Sequence, residues 1–390
     1  MAKSSRKRIA LLVETSHGSG REILRGIAHY SRQNADWQLF HGASGLSEAM
    51  PNWMDHWDGD AVIARIQNPD QLKKLVQLDL PVVDVLGVCE NRLPLVHVDD
   101  RAIAEKVTRY FLQRDFRHFA FYGIEDENWS RRRAEGFAAG LSPEHSFSLF
   151  QSQRNREDPL GEFQRLQSWL GTLPKPVGVM VCSDQRGLEL LEACRAESLA
   201  VPEQVAVVGV DNDVALCEIS DPPLSSVRGG HFRVGFEAAR LCERLLDGEK
   251  PPPSPLLVPP NELVERESSR IQAIDDPAVA RGIQFIREHL SEPVTNDLIA
   301  RSVGISRTLF QKRFREETGH SIREFILMRR VERARLLIEN SDIPLIEVAD
   351  RCGFRHQEYL GQVIKKTLGA TPGQLRRDAQ AKSQESLGIS

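Results

Sequence analysis

The chain has 390 residues, of which 41% are hydrophobic and 27% charged, with 27 Gly, 21 Pro and 6 Cys. That composition excludes a globally disordered, collagen-like or disulfide-framed protein. The formal net charge of -4 argues against nucleic-acid binding by the molecule as a whole, so any such partner must meet a local basic region.

In chain order, KRIALLVE (7–14) reads as a buried strand. A loop with Ser16, His17 and Gly18 to Gly20 follows, and then a helix over 21–33. WQLFHG, GDAVIARI (59–66) and LPVVDVLG (80–87) are further strands, and LPLVHVDD (93–100) leads into a crossover helix. The alternation starts afresh with HFAFYG (118–123), a helix containing RRRAEGFAAGL, strand PVGVMVCSD (176–184), helix QRGLELLEACRAES and strand VAVVGVDND (205–213). PPLSSV (222–227), a helix FRVGFEAARLCERLLDG and a strand within SPLLVPPNELVERES complete this part. Apolar runs alternating with amphipathic helices predict parallel sheets covered on both faces, and two such units in succession predict two lobes across a cleft. Ligands in such folds collect at the C-terminal ends of strands.

After the polar connector SRIQAIDDP (269–277) the pattern becomes wholly helical. TNDLIARSVGISRTLFQKRFREETG (295–319) and PLIEVADRCGFRHQEYLGQVIKKTLG (344–369) share one grammar. Ala300 and Gly304 recur as Ala349 and Gly353; Phe310, Phe314 and Gly319 recur as Leu360, Ile364 and Gly369, one residue further on. A small Ala suits a close helix crossing, and a Gly supplies the positive φ of a tight turn. This is a tandem helix-turn-helix. The exposed polar residues expected on its second helices are Arg307, Thr308, Gln311 and Lys312 in the first copy, and Arg355, His356, Gln357 and Gln362 in the second. Helices of that kind enter a major groove. Between the copies, SIREFILMRRVERARLLIEN (321–340) reads as a spacer helix of about 30 Å, close to one turn of B-DNA. Residues 277–381 carry 18 basic against 13 acidic side chains and the remainder 33 against 42, so a basic module sits on an acidic body.

On these motifs the last hundred residues resemble the DNA-binding domain of the AraC/XylS family of transcription regulators, with Thr371-Pro372 matching the family's ending. The resemblance implies base contacts by Thr308, Gln311 and Lys312, and by Gln357, Glu358 and Gln362. The second copy departs from the family by carrying Leu360 and Ile364 where aromatics are usual. Residues 7–270, through Arg133, Gly136, Phe137, Ser183-Asp184, VPEQVAVVGVDND and PPLSSV, resemble the effector-binding domain of LacI-type repressors and the periplasmic sugar-binding proteins. The expected architecture is a two-lobed, periplasmic-binding-protein-like α/β sensor with Rossmann-like lobes, followed by an all-α double helix-turn-helix domain. The expected bounds are 1–270 for the sensor (lobe 1 about 7–100 and 228–250; lobe 2 about 101–227 and 251–268), 269–276 for the linker and 277–381 for the DNA-binding domain, with a disordered tail at 382–390.

The combined resemblance implies a sugar-responsive activator. D-xylose or a related small sugar, such as another pentose or an amino sugar, is the expected ligand. Double-stranded promoter DNA and RNA polymerase are the expected partners, and a homodimer the expected assembly. A sugar's hydroxyls call for fixed carboxylates and guanidinium groups, and its ring for an aromatic plane. Asp211, ending a buried strand, is the first candidate; a helix N-cap is its alternative role. Arg133 follows, with a surface ion pair as alternative, then Trp129 as a stacking surface or plain core. Asp184 and Ser183 stand at a strand end, and Ser16 and His17 in the first loop.

No GxSxG, HExxH or CxxC pattern is present, so neither an enzyme nor a cofactor or metal is expected. The cysteines, Cys89, Cys182, Cys194, Cys217, Cys242 and Cys352, are scattered mostly through apolar runs, as in a reducing cytoplasm. No apolar run approaches the roughly 18 residues of a membrane span. Lys3, Arg6, Lys7 and Arg8 precede only IALLV, too short a run for a signal peptide. That and the appended DNA module weigh against a sugar-transport component.

Overall fold

The structure, a computed structural model, describes residues 6–42, 50–88, 93–153, 158–270, 274 and 276–386. It divides into two compact units, Met1–Ala273 and Ile274–Ser390. Cys89, part of the expected linker (271–273 and 275) and the last four residues of the expected tail lie outside the described residues.

The first unit begins with β1 (Lys7–Leu12), α1 (Gly18–Asn34), β2 (Trp37–His41), β3 (Ala61–Ala64), α2 (Pro69–Val76) and β4 (Val82–Asp84). The strands form a parallel sheet in the order β2-β1-β3-β4. β5 (Val96–Val98) crosses over into α3 (Asp100–Leu112), which opens the second lobe. There follow β6 (His118–Ile124), α4 (Asn128–Ala139), β7 (Ser146–Ser152), α5 (Pro159–Thr172), β8 (Val177–Val181), α6 (Asp184–Ala196), β9 (Val205–Val210), α7 (Val214–Ile219) and β10 (Ser225–Val227). α8 (His231–Leu246), β11 (Leu256–Val258) and β12 (Leu263–Val264) finish the unit. The second sheet has six strands in the order β12-β10-β9-β8-β6-β7, and β5 pairs with β11 in a two-stranded ribbon.

The apolar runs behave as strands covered on both faces should: β3, β8 and β9 are buried at every residue. One edge departs from the all-parallel expectation, because β12 pairs antiparallel with β10. α1 starts at Gly18, three residues before the predicted helix, so the glycine loop forms its first turn. β7 and α5 were not anticipated. α8 packs across α1 at backbone contact: a Cβ on Gly26 would lie 2.0 Å from the Phe232 carbonyl oxygen, and one on Gly235 1.9 Å from that of Ile23. Ile23, Ile27, Val234 and Ala238 are buried around this crossing.

The second unit is all helical: α9 (Pro277–Glu288), α10 (Asn296–Val303), α11 (Arg307–Thr318), α12 (Ile322–Asn340), α13 (Leu345–Arg351), α14 (Gln357–Leu368) and α15 (Pro372–Ser386). The sequence marks its helix starts: Asp276, Thr295 and Ser306 accept backbone N–H groups of the helices they open, and Ser321 and Glu324 form a reciprocal capping box. α9 precedes the first repeat and is not marked by either copy of its pattern. The two turns are built alike, with Gly304 at φ 77° and Gly353 at φ 72°, a region that side chains other than Gly disfavour. α11 starts at Arg307 and α14 at Gln357, so the extra residue of the second copy lies in the turn. Phe310 and Phe314 are fully buried under the first copy, Leu360 and Ile364 under the second.

Candidate functional site

Loops from both lobes of the first unit converge where their strands end. β9 is followed by Asp211 and Asn212, both at positive φ (105° and 51°). Non-glycine residues hold such conformations only when their surroundings enforce them. Here the Asp184 carboxyl group does so: it accepts the Asp213 N–H at 2.7 Å and the Ser226 hydroxyl at 2.6 Å, while Ser226 Oγ accepts the Asn212 N–H at 3.0 Å. Asp184 was expected to touch ligand. It lies instead beneath the loop at 2% exposure, shaping it from behind, a side-chain direction that a strand-end position does not reveal.

Burial first, and the neighbouring Asp211 charge second, push the Asp184 carboxyl up to about 8. Between the ordinary carboxylate range and about pH 8 the folded sensor therefore keeps a proton that the unfolded chain releases, so Asp184 erodes stability as pH rises through that window. Asp184→Asn is expected to flatten the pH dependence of the sensor's thermal midpoint between pH 5 and 8; an unaltered slope would assign it to another group.

Asp211 is partly exposed, and its Oδ1 is buried without a hydrogen-bond partner, 3.7 Å from His231 Nε2. Burial raises its pKa, and Arg133, Arg65 and His17 pull it back down. It caps no helix; Asp213 holds the N-cap position of α7.

Arg133 is no surface ion pair. At 3% exposure it binds Asp100 Oδ1 (2.9 Å) and the Cys182 carbonyl (2.5 Å). Asp100 also takes Arg132 (2.9 Å) and stands 3.5 Å from His97 Nε2. Its carboxyl is held well below the usual range: burial opposes ionisation, but the Arg133, His97 and Arg132 charges win. Trp129 packs against the core, donates its indole N–H to Glu127 (2.7 Å) and carries the Arg133 guanidinium 5.0 Å from its ring centroid. One of its faces is therefore already engaged.

Ser183 is the N-cap residue of α6, without a side-chain cap bond. Ser16 is exposed, its carbonyl held by Arg21 at 3.2 Å. His17 opens α1, its pKa lowered chiefly by burial and then by Arg65, against Asp211 and Asp213.

Sequence reasoning missed several members. Arg65, at the end of β3, ion-pairs with buried Glu14 and donates to Ser19 Oγ at 3.2 Å. Buried His231 opens α8. Asn128 bonds the Gly87 and Val88 carbonyls of the other lobe. A charged residue ending an apolar strand, as in GDAVIARI, was the available signal for Arg65. Besides Asp211 Oδ1, the atoms Asn212 Oδ1, Asn128 Oδ1, Arg65 Nε and Glu14 Oε2 are buried without a hydrogen-bond partner. Buried polar groups seek partners, and these atoms have hydrogen-bonding capacity left over.

In the second unit Arg307, Thr308, Lys312, Glu358 and Gln362 are exposed, and Gln311 and Gln357 half-buried. Lys312 is 3.9 Å from Glu316, and Arg307 3.3 Å from Asp297. Arg355 and His356, expected on the second reading helix, lie in the turn before it, His356 as the N-cap residue of α14. Leu309 and Tyr359, equivalent in the repeat, are 40% and 50% exposed; neither was anticipated. The five described cysteines are all buried and free, and no described helix is long and apolar enough to cross a membrane.

Family models match three segments: an XylR N-terminal domain over 8–104, a periplasmic binding protein-like domain over 108–269, and a helix-turn-helix domain over 299–378. The xylose operon regulatory protein of Escherichia coli K12 is 30% identical over 384 residues, 96% of this chain and 97% of that one. The corresponding Haemophilus influenzae protein is 28% identical over 380 residues, 95% and 98% of the two chains. A solved structure described as a xylose-binding transcription activator XylR superposes with a TM-score of 0.83 at 29% identity, covering 96% of this chain and 98% of that one. A cleft sensor joined to paired helix-turn-helix units defines a ligand-responsive, DNA-binding transcription regulator, and the relatives are regulators rather than enzymes. The chain belongs to the family of the xylose operon regulatory proteins.

Proposed function

We propose that the chain is a D-xylose-dependent activator of xylose-utilisation genes, acting in the cytoplasm as a homodimer that presents its reading helices to promoter DNA and engages RNA polymerase. The sensor spans 1–270 and the reader 277–381. The observation that carries the ligand reading is Asp211, whose Oδ1 is buried without a hydrogen-bond partner within electrostatic range of Arg133, Arg65 and His17, with Arg65 in turn paired to Glu14. A pentose offers hydroxyls around a small ring and meets such groups on several sides at once; an analogue missing a hydroxyl leaves one unpaired and loses affinity. Arg133, Trp129, Ser183, Ser16 and His17 line or support the same cleft, and Asp184 shapes it. Calorimetric titration with D-xylose, D-ribose and L-arabinose tests this: D-xylose binding at least about tenfold tighter is expected, and equal weak binding of all three would overturn it.

In the reader, Thr308, Gln311, Lys312, Gln357, Glu358 and Gln362 are the proposed base-facing residues, with Arg307, Arg355 and His356 beside the backbone. Lys312→Ala is expected to weaken binding to a selected duplex by about 1–3 kcal/mol. If Lys312 faces phosphate instead, the loss will be the same on every sequence and the salt slope will fall by about one.

A further inference from the structure

α1 points its N-terminus at the cleft, yet it has no cap of its own. His17 holds the N-cap position without a side-chain cap bond, and the first turn contains no acidic residue. In the same unit Asn68, Asp99 and Asp158 cap α2, α3 and α5, whereas α4, α6, α7 and α8 also start without a side-chain cap bond, so what sets α1 apart is the acceptor brought to it from elsewhere. An uncapped start leaves N–H groups unsatisfied and a partial positive charge exposed.

The missing acceptor comes from the opposite lobe. Asp213 Oδ2 accepts the Gly18 N–H at 3.1 Å and Arg21 Nη2 at 3.2 Å. Asp213 stands at the start of α7, but its side chain makes no cap bond there. Its own N–H is anchored on the Asp184 carboxylate at 2.7 Å, so the residue is held while its carboxylate reaches across. Gly18 leaves room for it: a Cβ at that position would lie 2.7 Å from Asp213 Oδ2.

We infer that Asp213 is a closure latch, a positioning residue that caps α1 in trans only when the two lobes are shut, so that helix capping favours the closed sensor. With the lobes apart, water takes its place at α1 and the Asp213 carboxylate is solvated. Because apparent affinity scales with the fraction of chains in the binding-competent state, the latch raises sugar affinity without touching sugar. The inference rests on the ligand reading above for its affinity readout, and it has a second readout that does not.

The test uses the full chain and D-xylose calorimetry. Asp213→Ala is expected to weaken binding about tenfold, and Arg21→Ala, at an exposed side chain, to weaken it in the same direction. Gly18→Ala should also weaken it, because the added methyl collides with the carboxylate; in the Asp213→Ala background the same substitution should cost nothing further. That loss of effect is not expected of a helix that is merely destabilised. Without sugar, spin labels at Asp70→Cys and Glu192→Cys, exposed positions on the two lobes, should report a longer mean separation in Asp213→Ala than in the parent. Wild-type affinity in Asp213→Ala, a Gly18→Ala loss that persists in the double variant, or an unchanged label distance would each overturn the latch. A lengthened distance in a chain that does not bind D-xylose would leave the latch standing and remove the ligand assignment.

Discussion

Asp211→Ala is expected to weaken sugar binding by about 100-fold or more and to abolish the effect of sugar on DNA affinity, while DNA binding without sugar stays at its parental level. The size follows from what the carboxylate has around it. Oδ1 is buried and unpartnered, so a hydroxyl donated to it makes a charge-assisted hydrogen bond worth about 1.5–3 kcal/mol, and losing both oxygens removes more than one such bond. The Arg133 and Arg65 charges that stabilise the ionised form would also face a cleft lacking its counter-charge. Because burial raises the Asp211 pKa, affinity should fall as pH drops through a point above the usual carboxylate range. Calorimetry on the variant and a pH series on the parent check both statements; parental affinity in Asp211→Ala would show that the sugar is held elsewhere.

Phe310→Ala is expected to abolish DNA binding while leaving sugar binding intact. The Phe310 ring is fully buried, 5.5 Å from that of Phe314, and fills the space that a Cβ on Gly282 would need. Truncating such a ring costs about 3–5 kcal/mol, a large part of the roughly 5–15 kcal/mol that holds a domain together. Loss of a distinct thermal transition, with the sugar isotherm unchanged, would confirm that the two units fold separately. Simultaneous loss of sugar binding would show that they do not.

The elements that the chain announces locally are the ones that could be read from it. Strands such as GDAVIARI and VAVVGVDND are continuous apolar runs, and the repeat of Ala300 and Gly304 as Ala349 and Gly353 states the tandem turn outright. β7 escaped because SFSLFQS is an edge strand exposing Phe147 and Leu149, so its pattern carries little burial signal. At the cleft, an apolar strand followed by an acid is what singles out Asp211 in the sequence. Arg65, directly after the apolar run of β3, carries the same signal.

Direction was harder to read than position. Asp184 opens α6 beside the cleft but faces inward, toward Ser226 and the Asp213 N–H, and Arg133 is spent largely on Asp100 and a carbonyl. Contacts such as Asp213 with Gly18, 195 residues apart, depend on how two lobes meet and leave no local trace. The placement of His356 before α14 rather than on it follows from a single inserted residue in the turn.

The claim on which the rest depends is that occupancy of the cleft changes the grip of the reader on DNA. The direct measurement is the affinity of the full chain for a duplex it has selected from a random library, with and without saturating D-xylose. At least a tenfold difference is expected, with a matching change in sugar affinity when the duplex is present and a steep fall of DNA affinity with salt. A chain that binds D-xylose and binds the duplex, yet shows the same affinity for each whether or not the other is bound, would contradict it.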